Sequence, residues 1–267
     1  MRPGQLALKV GGYPLHLMRL RAKIGWRAIP MRRLENKLVA DLLGQRGDRV
    51  HADVVTIITT YKRPEMLPLA VASALSQDIP DHRVIVVDDG GGGLPEFPPD
   101  PRLTVVSLPV NTGTAGVVRN VGIRISNSRL VAFLDDDNTW TPEHLPLSVA
   151  AHGGRAALSY SGIRRMHADG RVFDELNEPW SRHAMMRHAF VDTSAIVVRR
   201  GRGVAFSRMP RTRIASGPGE DWQFVYQISR FGKVVHVPEI TVNYLLDGVS
   251  HYSEWRDPLV PQPDSTD

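Results

Sequence analysis

The chain has 267 residues, 42% hydrophobic and 23% charged, the proportions of a folded globular chain rather than a disordered or collagenous one. It holds no cysteine, which excludes a disulfide framework and any thiolate nucleophile, so a metal would have to sit on carboxylates, imidazoles or carbonyls. The net charge of +5 is uneven: residues 1–50 carry 11 Lys/Arg against 3 Asp/Glu and the remainder 22 against 25, so the basic character belongs to a leader and not to the whole surface of a nucleic-acid binder.

In that leader Leu15, Met18, Ile24 and Trp26 are interleaved with Arg19, Arg21, Lys23 and Arg27, and Pro30 is expected to divide it. Leu34, Leu38 and Leu42 repeat every four residues and make one helical stripe ending at Gly44. Two readings follow. Either the leader packs on the globular part with its charges outward, or residues 1–45 lie on an anionic membrane surface. No apolar run approaches the ~18 residues of a spanning helix, and the start lacks the compact apolar stretch of a secretory signal. The expectation is a cytoplasmic protein, peripheral on the inner membrane face if the leader binds lipid.

From Val54 the pattern alternates between strand and helix. Val54–Thr60 is a short β-branched run, a buried parallel strand. A helix is expected from Pro64 to about Gln77, a strand over Val84–Val87, a strand over Leu103–Leu108, a helix over Ala115–Ser126 and a strand over Leu130–Leu134. Thr141-Pro142 reads as a helix cap followed by Pro at the first helical position. This order predicts an α/β fold with a doubly wound, mostly parallel sheet, in which ligands bind beyond the carboxyl ends of the strands. After residue 152 the pattern is mixed. Short strands are expected at Ala156–Tyr160, Ile163–Met166, Val172–Phe173 and Ala195–Arg199, then a helix over Asp221–Phe231 and a strand over Lys233–Val237.

Three acidic or glycine-rich constellations carry chemistry. Asp135, Asp136 and Asp137 follow a strand; alternation places Asp135 and Asp137 on one side, where two carboxylates converge best around a cation such as Mg²⁺ or Mn²⁺. The plainer reading is a solvated acidic turn. Asp88-Asp89-Gly90 ends an earlier strand and can accept from a base or a ribose, or simply form a turn. Asn111–Gly116 opens a helix with small residues, and Arg119 in its first turns can meet a phosphate or a base edge.

Together the stretches Val55–Pro64, Val86–Gly90, Gly116–Gly122 and Phe133–Asp137 resemble the family 2 glycosyltransferases of the GT-A fold, strongly over residues 53–150 and more weakly through Gly219-Glu220-Asp221-Trp222. The resemblance implies a leader over 1–50 and a transferase domain over 51–257. That domain divides into a nucleotide-binding half (53–150) and a mixed acceptor half (151–257), with a flexible tail over 258–267. It implies that Thr60, Tyr61 and Arg63 line a nucleoside pocket, that Asp88 or Asp89 reads the base, most often uracil, and that Arg119, Asp135 and Asp136 meet the nucleotide. Asp137 and Asp135, with His251, would hold Mn²⁺ or Mg²⁺. Asp221 would be the general base toward the acceptor hydroxyl; the plainer role for it is a helix cap. Glu220 and Trp222 beside it, and Asp192, would face the acceptor.

The implied reaction is metal-dependent, inverting transfer from a nucleotide-sugar, a UDP-sugar first, to a glycan, lipid-linked or small-molecule hydroxyl, with no nucleic-acid partner. Asn138 departs from the family, which often has an acid there, and Val118 stands where Ala is common. No Gln-x-x-Arg-Trp motif is present, which argues against a processive polysaccharide synthase. Alternatives are a sugar-1-phosphate nucleotidyltransferase, whose Gly-rich first turn is missing from Thr59–Pro64, and a non-catalytic sugar-nucleotide binding module. Trp180, Arg182, His183, Met185, Met186 and His188 are further acceptor-side candidates, or core packing.

Overall fold

The computed structural model describes residues 3–209 and 220–246, with side chains from residue 12 onward. Helix α1 (Pro3–Ile24) is kinked at Gly12, and a 3-10 turn over Gly25–Arg27 leads into α2 (Ala28–Arg46). The leader therefore breaks at residues 25–27 and not at Pro30. Pro30 sits in the first turn of α2, where no intrahelical N–H is lost. Gly47, left-handed at φ 80°, closes α2 by donating to the Leu43 carbonyl at 2.9 Å.

The alternating region forms β1 (Val50–Thr60), α3 (Leu67–Leu75), β2 (His82–Asp88), β3 (Leu103–Ser107), α4 (Ala115–Ile125) and β4 (Ser126–Asp135). After it come β5 (Asn138–Trp140), α5 (His144–Ala151), β6 (Ala156–His167), β7 (Val172–Leu176), α6 (Arg182–Met185), β8 (Ile196–Arg199), α7 (Glu220–Ile228) and β9 (Lys233–Leu246). The sheet runs β3-β2-β1-β4-β8-β6-β9-β5, with β7 beside β6. The first four strands are parallel, as expected of β-branched runs covered on both faces. Strand β8 is antiparallel to both β4 and β6, so the far half of the sheet is mixed.

Several sequence expectations shift. Strand β1 reaches back to Val50, where Val50–Ala52 pairs with the polar Ser126–Ser128 and so leaves no apolar signal. Helix α3 starts at Leu67, because the chain first turns through Lys62 at φ 54°. Thr141 is no helix cap: its N–H still bonds to the Thr241 carbonyl beside β9, and α5 begins at His144. The two strands expected within 156–166 are one, β6, paired with β9 on both sides of a register shift at Gly162. The expected end of the last strand at Val237 moves to Leu246, since Asn243 and Tyr244 pair with β5.

The leader belongs to the core. Leu38, Val39 and Leu42 are buried in the same cluster as the β1, β2 and β4 side chains, and α2 packs on α4. Beneath them Glu35, 0% exposed, takes both nitrogens of Arg208 at 2.7 Å, Arg124 at 2.9 Å and Asn120 at 3.0 Å. This supports the first of the two leader readings, with Arg19, Arg21, Lys23, Arg27, Arg32 and Arg33 outside. No helix among the described residues is long and apolar enough to cross a membrane.

Candidate active site

Register brings the acidic strand ends together. Thr60 on β1 lies opposite Asp88 on β2, and Thr59 lies opposite Asp135 on β4. Two carboxyl-bearing ends therefore flank the end of the central strand, where a doubly wound sheet presents its ligand crevice.

On the β2 side both carboxylates brace loops. Asp88 accepts the Gly91 and Gly92 N–H groups at 2.9 and 3.2 Å, and Asp89 accepts those of Thr112 and Gly113 at 2.8 and 3.3 Å. Burial pushes the Asp89 carboxyl up, and the Thr112 hydrogen bonds oppose that shift. Gly90 is required by the fold: at φ 72°, with a Cβ that would fall 2.6 Å from the Val110 carbonyl carbon, no other residue fits. Tyr61 is exposed at the rim, with the Lys62 ammonium 5.3 Å from its ring.

On the β4 side the three aspartates part. Asp135 accepts from Arg119 Nη2 at 2.5 Å, and Asp137 pairs with the Arg63 guanidinium, which also reaches Asp136 at 3.5 Å. Strand alternation does not carry past Asp135, because β4 ends there and a turn follows. Asp136 is buried, which pushes its carboxyl up to about 6; the Thr60 hydroxyl pulls the other way and the Asp137 charge adds to the rise. Asn138 donates to Ser194 Oγ at 2.9 Å, and the same oxygen accepts the Asp135 N–H at 3.2 Å. Ser194 carried no sequence signal, yet it fixes the strand end.

Later elements of the chain supply the rest. Asp192 caps the 3-10 turn at Thr193–Ala195 and accepts the Ser194 N–H at 2.8 Å. Burial raises its carboxyl well above the usual carboxylate range, with the charges of Asp135, Asp221 and Asp137 adding to the rise. On α7, Glu220 accepts from Arg119 Nη1 at 3.2 Å, and Asp221 Oδ1 accepts the Trp222 N–H at 2.8 Å. Arg119 on α4 thus ties β4 to α7. Burial alone would weaken its hold on the proton; Asp135 and Glu220 outweigh that and raise it above its ordinary value. Gly116, expected to allow close backbone approach, does so toward protein: its Cβ would lie 2.5 Å from the Ser207 carbonyl oxygen.

The structure separates the remaining acceptor candidates. Met185 is core, and its carbonyl accepts Trp222 Nε1 at 2.5 Å. Trp180 packs edge-on near Tyr160, and His188 meets Glu178 at 2.9 Å. Arg182 stands 5.5 Å from the Tyr226 ring, while His183 is exposed. His251 and the tail lie outside the described residues. Among the described residues no group of three His, Asp or Glu side chains is already spaced to hold a metal. The donor types nevertheless suit one: Asp135 and Asp137 offer hard oxygens, and the Arg63 guanidinium already seats a positive charge on Asp137.

Comparisons with known proteins give the family and the fold. Residues 55–213, more than half of the chain, match the family described as Glycosyl transferase family 2. The chain is 32% identical over 131 residues to the succinoglycan biosynthesis protein ExoO of Rhizobium meliloti, covering 47% of this chain and 37% of that protein. It is 32% identical over 130 residues to the putative teichuronic acid biosynthesis glycosyltransferase TuaG of Bacillus subtilis, covering 46% and 51%. The chain thus spans between about a third and a half of the length of these curated relatives. In fold it is similar to the mannosyltransferase PcManGT from Pyrobaculum calidifontis in complex with GDP-Man and Mn²⁺. There the TM-score is 0.56 and the identity 15%, with 85% of this chain and 70% of that one covered. The fold is GT-A, and the chain belongs to glycosyl transferase family 2.

Proposed function

We propose that the chain transfers a sugar from a nucleotide-sugar, a UDP-sugar first, to an acceptor hydroxyl, with inversion at the anomeric carbon and Asp221 as general base. One observation supports this most: Asp135, Asp136, Asp137, Glu220 and Asp221 gather with the Arg63 and Arg119 guanidiniums at the end of β4. Hard carboxylate oxygens beside fixed guanidiniums at a strand end suit a cation and a diphosphate. The alternative readings, nucleotidyl transfer and simple binding, do not need a carboxylate on α7.

Asp135 and Asp137 would hold Mn²⁺ or Mg²⁺, which when bound offsets the charge on the diphosphate leaving group. Arg63 and Arg119 supply fixed positive charge at the same place. Asp221 takes the acceptor hydroxyl proton as the oxygen bonds to the anomeric carbon and the bond to the diphosphate breaks. Its Oδ1 is oriented by the Trp222 N–H. Thr60, Tyr61, Asp88 and Asp89 frame the nucleoside side; because the last two brace backbone loops, they act by shaping the pocket as well as by offering acceptors. Glu220, Trp222 and Asp192 lie on the acceptor side. ExoO and TuaG are named for polysaccharide biosynthesis, which favours a glycan or lipid-linked acceptor.

Contact with an anionic membrane belongs to the same proposal. Met18, Trp26 and Ile29 are 66%, 64% and 56% exposed among the basic residues of the leader. Because Glu35 locks α2 into the core, the test is the surface pair Trp26→Ser with Ile29→Ser, not deletion of residues 1–45. Sedimentation with phosphatidylglycerol liposomes should fall in the pair; equal binding overturns the contact.

The main test is thermal stabilisation by UDP, GDP, dTDP and CDP, each with and without Mn²⁺, in the wild type and Asp221→Asn. One nucleotide should stabilise only with metal in both proteins, while Asp221→Asn loses transfer. Near-normal turnover in Asp221→Asn rejects the base assignment.

A further inference from the structure

The leader enters the acceptor side of the site through one residue, outside the family match at 55–213. At Gly12 the chain takes φ 63°, and a Cβ there would lie 3.0 Å from the Met186 carbonyl oxygen. That kink lets the Tyr13 N–H donate to the same carbonyl at 2.7 Å. The Tyr13 ring, 1% exposed, then stacks on the Trp222 indole at 4.7 Å and 13°, and meets Tyr226 edge-on at 5.3 Å. Trp222 is fixed from its other end by the Met185 carbonyl at 2.5 Å. The first turn of α7, which carries Glu220 and Asp221, is therefore clamped between α6 and the leader.

We propose that Tyr13 is a positioning residue for transfer: by stacking on Trp222 it sets the place of Asp221, so that the leader is part of the catalytic apparatus rather than an appendage. The proposal rests on Asp221 being the base. Its flat ring is what matters, since it fills the space beside the α7 turn and leaves Trp222 a single orientation. The two groups also interact electrically. Burial, and then the charge of Asp221, make the Tyr13 phenol harder to ionise than usual. The ring therefore works as a neutral wall. No other leader side chain combines a ring contact to Trp222 with a backbone anchor beside α6 among the described residues.

The test uses the full chain and water as acceptor. Nucleotide release with Mn²⁺ is followed from UDP-glucose, UDP-N-acetylglucosamine and GDP-mannose, in the wild type, Asp221→Asn, Tyr13→Phe, Tyr13→Leu and Tyr13→Ala. Tyr13→Phe keeps the stack and should stay within about threefold of wild type. Tyr13→Leu fills the space without the flat face and should lose about ten- to a hundredfold in kcat, because small misplacement of a reacting group is costly. Its KM for donor and its stabilisation by the nucleotide–Mn²⁺ pair should match wild type, since the nucleotide half is untouched. Tyr13→Ala should follow Tyr13→Leu; if it fails to fold, Tyr13→Leu carries the test alone. Wild-type kcat in Tyr13→Leu, or a kcat loss accompanied by loss of nucleotide stabilisation, overturns the positioning role. Hydrolysis that persists in Asp221→Asn, or is missing from the wild type on all three donors, overturns the base reading instead.

Discussion

Arg119 and Asp135 meet across 2.5 Å from two different elements, α4 and β4, while the same guanidinium reaches Glu220 on α7. The pair and its Glu220 contact join β4 and α4 to α7 by charge, at a place where Asp221 adds more negative charge. Arg119→Met removes the guanidinium that Asp135 and Glu220 share, and unfolding free energy in urea should fall by about 3–5 kcal/mol. Arg119→Lys keeps the charge but not the fork, and should recover only part of that loss. A loss under 1 kcal/mol in the Met variant would show that the acids relax by taking up protons.

Glu35 anchors the leader by accepting from Arg208, Arg124 and Asn120. Its arginine partners are partly exposed, so they can return to water when it is neutralised. Glu35→Gln should therefore cost about 1–3 kcal/mol, the range of hydrogen bonds to charged groups. Trypsin should also cut the leader arginines sooner in the variant. An unchanged cleavage rate would mean that Leu38, Val39 and Leu42 hold α2 without the charge.

The glycines divide sharply by what surrounds them. Gly116→Ala would drive a Cβ to 2.5 Å from the Ser207 carbonyl oxygen, a backbone atom that cannot swing aside, and should cost about 1–3 kcal/mol. Gly44 lies in α2 with nothing within 4 Å of its would-be Cβ, so Gly44→Ala should stabilise by about 0.5–1 kcal/mol. Denaturant midpoints of the two variants should move in opposite directions; movement in the same direction would contradict the packing described for α4.

His82 is buried at the start of β2, where Nε2 pairs with the Thr56 hydroxyl of β1 at 2.8 Å and Nδ1 has no hydrogen bond. Burial pushes its imidazole down to about 4, with the charge of Arg102 adding to the fall. Between pH 6.5 and 4 the unfolded chain therefore binds a proton that the folded one refuses. The stability of the neutral ring is full above pH 6.5 and is lost as pH falls. The stability difference between wild type and His82→Gln should change by about 2 kcal/mol between pH 7.5 and pH 5, with the wild type losing more. Parallel pH curves for the two proteins would place a charged His82 in the native state.

Strand ends were readable because their residues are local. Asp88 follows the β-branched run Val84–Val87 and Asp135 the apolar run Leu130–Leu134, and register then sets them beside Thr60 and Thr59. Contacts between distant residues were not readable. Nothing near Ser194 marks it as the support of Asp135, 59 residues earlier, and Glu35 looks in sequence like any solvated acid of a basic helix. Tyr13 is hidden for the same reason: its partner Trp222 arrives from the far end of the chain. The helix cap expected at Thr141 failed because Thr141 is still held against β9, also remote, and α5 begins only at His144.

The Glu35 cluster also bears on how the chain is made. Its three partners lie 85, 89 and 173 residues downstream. At about 5–20 residues per second of synthesis, roughly ten to thirty seconds pass between the emergence of Glu35 and that of Arg208. During that interval α2 has no complete seat, and its leucine stripe and the basic residues before it are both presented to the surroundings of the ribosome. Any anionic surface within reach meets the leader before the rest of the protein exists to cover it.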